Sequence, residues 1–146
     1  MYRLLTLGSL EVEGRRYGQQ KPLVLLSYLA LEGVQERRHV AALFWPGASD
    51  PLNRLSVTLS RLSRDLPGSF EATPTTVRAL AASDAAEMRQ ALRDGDLATA
   101  RRLFRGPFLL GARVRGAGAE LQDWVDSTRD GLAHALQRAL LEAAAA

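Results

Sequence analysis

Residues 51–66, PLNRLSVTLSRLSRDL, bring arginines, an asparagine and short hydroxyl side chains together at helical spacing. At about 100° per residue, Leu52, Leu55, Leu59, Leu62 and Leu66 fall on one stripe. The opposite face collects Asn53, Arg54, Val57, Ser60, Arg61 and Arg64, with Asp65 off its centre. Guanidinium forks and hydroxyls with no carboxylate among them are suited to phosphate oxygens and base edges. Asn53 has two readings, an adenine contact or a first-turn cap. Val57 is either a thymine-methyl contact or an isolated exposed valine, which is ordinary on a surface. The competing reading of the whole face is plain solvation. Arg37 and Arg38 open a second short helix, where the helix N-terminus and their charge could grip a phosphate or simply meet water.

Other candidate chemistry is thin. His39 and His134 have no second ligand at metal-binding spacing, and the chain has no cysteine, which excludes disulfides and thiolate metal sites. Glu120, Asp123 and Asp126 share one side of a helical pattern, but no nucleophile, base or glycine-rich phosphate loop accompanies them. No enzyme activity, metal, cofactor or small-molecule ligand is expected. The net charge of +3 needs discounting as a sign of nucleic acid, because Lys21 is the only lysine and isoleucine is absent, as GC-rich codon usage produces. Distribution is more telling: residues 1–82 hold ten basic and seven acidic side chains, whereas residues 83–146 hold nine of each. The positive excess lies in the half that contains the arginine face.

The elements that must position this face are legible from periodicity. Residues 2–7 and 10–13 alternate about Gly8 and Ser9, so two antiparallel strands are expected, with a third through Tyr17. Residues 21–31 are apolar almost all round and end at Gly33, which predicts a central core helix. A short helix follows over 36–45 with Val40, Leu43 and Phe44 inward, stopped by Pro46 and Gly47. Asp50 or Ser49 caps the arginine helix, and Pro51 sits in its first turn. Residues 70–73 and 76–80 pair as a hairpin about Pro74 and Thr75. Strands, three helices and a terminal hairpin is the order of a winged helix-turn-helix.

Beyond Ala82 the pattern is helical only. Residues 84–93 and 97–105 form a tight helical hairpin around Asp94, Gly95 and Asp96, with Met88, Leu92, Leu97, Leu103 and Phe104 as its expected seam. A glycine- and arginine-rich loop at 111–118 leads to a long helix over 119–143, striped by Leu121, Trp124, Val125, Thr128, Leu132, Leu136 and Leu140. This resembles the start of a tetratricopeptide-like stack, whose units bury their faces against neighbours. The fold class expected is α+β, a winged helix-turn-helix (1–82) followed by an all-α tetratricopeptide-like domain (83–146). The longest apolar run is far below the roughly 20 residues that span a bilayer, and no signal-peptide pattern opens the chain, so a cytoplasmic protein is expected.

Five segments, LSYLAL at 26–31, ALFWP at 42–46, LSRLSR at 59–64, ARRLFRGPFL at 100–109 and ELQDW at 120–124, occur in one order across nearly the whole chain. In them the chain resembles the Streptomyces antibiotic regulatory protein (SARP) type of bacterial transcriptional activator. That family joins an OmpR-type winged helix to a bacterial transcriptional activator domain. The resemblance implies that residues 53–64 are a recognition helix for the major groove of double-stranded DNA. It implies that the loop with Trp45, Pro46 and Asp50 faces RNA polymerase, and that the protein acts as a homodimer on DNA. Departures are a single basic residue, Lys21, entering the first helix, a short uncharged hairpin tip at 73–76, and an activator domain shorter than the family's. Against this regulator stands a second reading, a protein-interaction adaptor whose winged helix no longer binds DNA.

Overall fold

The computed structural model describes residues 1–114 and 116–146, so Arg115, within the expected loop at 111–118, lies outside the described residues. The protein is α+β, as expected at that level, with six helices and two small sheets among the described residues. Its elements are β1 (Arg3–Leu5), β2 (Glu11–Val12), α1 (Gln20–Glu32), β3 (Gln35–Glu36), α2 (Arg37–Phe44) and α3 (Pro51–Asp65), then β4 (Phe70–Ala72), β5 (Thr76–Ala79) and β6 (Ala82–Ser83), and last α4 (Asp84–Arg93), α5 (Leu97–Leu103) and α6 (Ala119–Ala145).

Helix α1 is the axis of the core. Every residue from Pro22 to Leu29 is buried, and Ser27 is accommodated by donating to the Leu23 carbonyl at 2.7 Å. Pro22 stands in the first turn, where its missing N–H removes no intrahelical bond. Gly33 closes the helix at φ +78°, a left-handed conformation that costs glycine nothing. Helices α2 and α3 pack against each other, and α3 also touches α1. Leu55, Leu59, Leu62 and Leu66 are the buried residues of its stripe, each contributing about 1.5–3 kcal/mol of burial.

Both sheets have three strands, and both differ from expectation. In the first, β1 lies between antiparallel β2 and parallel β6, with Leu4 opposite Val12 and Ser83. Its third strand is therefore β6, and the strand expected through Tyr17 is absent there because only an isolated Val12–Arg15 bridge forms. In the second, β5 lies between β4 and β3. The hairpin β4–β5 is in the expected place, while β3 had no periodicity to reveal it, being two residues long.

Strand β6 and the turn before α4 join the two parts of the chain. Asp84 is buried and its carboxylate accepts from the Thr6 amide (2.8 Å), the Thr6 hydroxyl (2.6 Å), the Leu7 amide (3.0 Å) and the Ala85 amide (2.8 Å). Further along, the Leu109 amide donates to Thr6 and the Gly8 amide to Pro107. A Cβ on Gly106 would lie 3.0 Å from the Gly8 Cα, so this backbone crossing requires glycine. Helices α4 and α5 do form a hairpin, but α5 stops at Leu103, and of the expected seam residues Met88 is fully buried. Ala85, Ala91 and Ala100 are buried beside Met88, whereas Leu92, Leu97, Leu103 and Phe104 are only half-buried. Helix α6 buries Leu121, Val125, Thr128, Leu132 and Leu136 as its stripe requires, with Trp124 and Leu140 half-buried.

Candidate nucleic-acid interface

Helix α3 begins where Asp50 accepts the Asn53 amide at 3.1 Å, with Pro51 as its first residue. That settles the cap on Asp50 and leaves the Asn53 side chain exposed. The buried arc of α3 is turned from the leucine stripe read in the sequence. Thr58 is buried on one side, while Leu52 on the other is 37% exposed. Leu52, in the first turn, lies outside the core and lines the cleft shared with Arg38 and Pro74.

Asn53, Ser56, Val57, Ser60, Arg61 and Arg64 line one open concavity along the outer face. Five of these were expected; Ser56 was not, although at helical spacing it lies one turn from both Asn53 and Ser60. Arg54 does not line the concavity. Its charge adds to burial, the larger effect, in pushing the Lys21 ammonium pKa down.

A carboxylate reaches the edge of the face. Arg64 Nε donates to Asp65 at 3.0 Å, and the Tyr17 hydroxyl donates to the other Asp65 oxygen at 3.3 Å. The Arg64 hydrogen bond holds the Asp65 carboxyl below the usual carboxylate range. Burial, followed by the Asp65 charge, raises the Tyr17 phenol. Tyr17 escaped the sequence reading because its partner is 48 positions away.

Arg37 and Arg38 part company. The Arg37 guanidinium donates to the Thr73 carbonyl at 3.1 Å and to the Ser56 hydroxyl at 3.0 Å, and its amide donates to the Thr75 carbonyl at 2.8 Å. Two of its donors are thus engaged within the fold, between α3 and the β4–β5 tip. Arg38 is exposed and lines a neighbouring cleft with Leu52, Pro74 and Thr76.

The loop from α2 to α3 is partly covered. Trp45 is half-buried, its ring 6.0 Å from Phe44, with the Lys21 ammonium 4.6 Å from its centroid. Pro46 is exposed and abuts Gly118, where a Cβ would come within 3.1 Å of the proline ring. The Asp50 carboxylate is occupied by the cap. Helix α6 is held nearby by Trp124, which packs edge-on against Tyr28 (4.9 Å) and Phe108 (5.6 Å) and donates to Glu32 at 3.1 Å.

Away from this face, Arg3 bridges Glu13 and Glu87 at 2.6 Å each, and Arg105 lies 3.6 Å from the buried Asp84. His39 meets the Tyr28 hydroxyl at 3.4 Å, and Asp126 is engaged by Gln122 and Arg129. Among the described residues no group of three or more His, Cys, Asp or Glu is placed to hold a metal ion. No described helix is long and apolar enough to cross a membrane. No protein-family model matches the chain, and a search of curated proteins finds no significant match.

Proposed function

We propose that the protein is a sequence-specific, double-stranded-DNA-binding transcription regulator of the activator type, in which α3 enters the major groove. On this reading residues 1–82 are a winged helix-turn-helix, with α2 and α3 as its helix pair and β4–β5 as its wing. Residues 83–146 are a tetratricopeptide-like activator domain. The observation that carries the reading is the single concavity that gathers Asn53, Ser60, Arg61 and Arg64 around an exposed Val57. Arginine and asparagine give bidentate base contacts, hydroxyls and arginines hold phosphates, and a central valine suits a thymine methyl. The helix carrying them is fixed from behind by four buried leucines, so its side chains meet the duplex from a rigid support.

Partners follow from the same reading. A helix-turn-helix of this size covers one half-site, which favours two copies on a palindromic or direct-repeat operator. RNA polymerase enters through the family resemblance, with Pro46 and Asp50 exposed on the α2–α3 loop. A non-enzymatic role in the cytoplasm accords with all of this. The test is footprinting of the purified chain on random-sequence and promoter duplexes at low salt. A protected site whose affinity falls with salt supports the proposal, and the absence of any protected site rejects it. One observation favours an adaptor instead: the hairpin tip Thr73, Pro74, Thr75 and Thr76 carries no charge, and Arg64 is partly neutralised by Asp65. A stable complex with another protein and no DNA affinity at low salt would decide for that reading.

A further inference from the structure

We infer that Arg37 is a positioning residue that sets the β4–β5 tip against the DNA-facing side of α3, and not itself a phosphate ligand. The inference rests on the DNA-binding reading above. One guanidinium reaches both a backbone carbonyl at the hairpin tip, Thr73, and the hydroxyl of Ser56, which lines the α3 concavity. A planar fork meets two acceptors at once, which a lysine ammonium on a flexible stem does not reproduce. The tip is itself a defined object. Thr73 Oγ1 accepts the amides of Thr75 (3.2 Å) and Thr76 (2.9 Å) and pairs with the Thr76 hydroxyl at 2.7 Å. With the tip internally satisfied, the Arg37 guanidinium adds a direct link from it to α3. The hairpin does not need that side chain to form, because β5 pairs with β3 at Gln35 and Glu36 and the Arg37 amide bonds Thr75 independently. Removing the guanidinium therefore loosens the angle between two surfaces and leaves the fold in place.

The experiment compares Arg37→Ala, Arg37→Lys and Ser56→Ala with the wild-type chain. The probe is a duplex that the wild type recovers from a random-sequence library. Affinity is measured as a function of KCl, together with hydroxyl-radical footprints and backbone amide exchange of the hairpin. Losing one charge-assisted link predicts about a five- to tenfold weaker complex for both Arg37 variants. The expected salt slope is unchanged, Ser56→Ala gives part of the same loss, and combining it with Arg37→Ala adds little. Protection by the hairpin weakens while protection by α3 persists, and amide exchange at the tip quickens without DNA. A salt slope that drops by about 1 in Arg37→Ala, with Arg37→Lys close to wild type, overturns the inference in favour of a phosphate contact. Unchanged affinity and footprint in Arg37→Ala overturn it as well. If the wild type recovers no duplex at low salt, the DNA-binding reading itself has failed and this inference falls with it. Binding by the wild type with a negative variant result removes only the inference.

Discussion

Truncating Arg61 to alanine separates a DNA-reading face from a merely solvated one. The side chain is exposed on α3, in the concavity with Asn53, Val57, Ser60 and Arg64, and no hydrogen bond or ion pair holds it among the described residues. An exposed site without such partners changes stability by no more than about 0.5 kcal/mol. Any large loss in DNA affinity is then a loss of contact and not of fold. Around the face, Arg38, Arg54, Arg61 and Arg64 are exposed. Each arginine that neutralises a phosphate contributes about 0.9 to the salt slope. If Arg61 meets a phosphate, the slope of Arg61→Ala becomes less steep by about 1, with little change in sequence preference. If it reads a base, the loss is about 1–3 kcal/mol and one position of the site relaxes. Fluorescence-anisotropy titrations over a range of KCl concentrations, repeated on duplexes substituted one base pair at a time, distinguish the two. Unchanged slope, affinity and preference, with an unchanged urea midpoint, would refute the assignment of this face to DNA.

Asp84→Ala strips a buried carboxylate from the amides of Thr6, Leu7 and Ala85 and the hydroxyl of Thr6, and about 3–5 kcal/mol of unfolding free energy should go with it, read by urea denaturation. Asp50→Ala removes the cap of α3 and should lower the urea midpoint by the equivalent of about 1 kcal/mol at constant m-value. Asp65 gives a pH dependence of definite sign. Because Arg64 lowers its folded pKa, its stabilisation is fully present above the unfolded value of about 3.9 and is lost as pH falls through the lower folded one. Asp65→Asn should therefore flatten the acid limb of the stability profile, and an unaltered limb would count against the Tyr17–Asp65–Arg64 chain.

How much could be read in advance depended on the range of the interaction concerned. The central helix, the Gly33 stop, the Asp50–Pro51 start of α3 and the hairpin about Pro74 are encoded by neighbours within a few positions, where periodicity, caps and turn residues act. Strand β3 and the parallel strand β6 were not legible, since two-residue strands carry no period and exist only because a partner strand offers its amides and carbonyls. In the α4–α5 hairpin Met88 is buried as its hydrophobicity predicts, whereas Leu92, Leu97 and Leu103 are half-buried and Ala85, Ala91 and Ala100 are buried.

The candidate face divides in the same way. That Asn53, Val57, Ser60, Arg61 and Arg64 point together follows from helical geometry, and the sequence alone determined it. Which of the arginines stay available was decided by the tertiary structure. Arg37 donates to Thr73 and Ser56, Arg64 pairs with Asp65, which Tyr17 also engages, and Arg54 lies off the concavity, while Arg61 keeps its donors. A helix repeats its own geometry and so can be read from its own residues. The partners that engage a long charged side chain come from distant segments, and only packing brings them within reach.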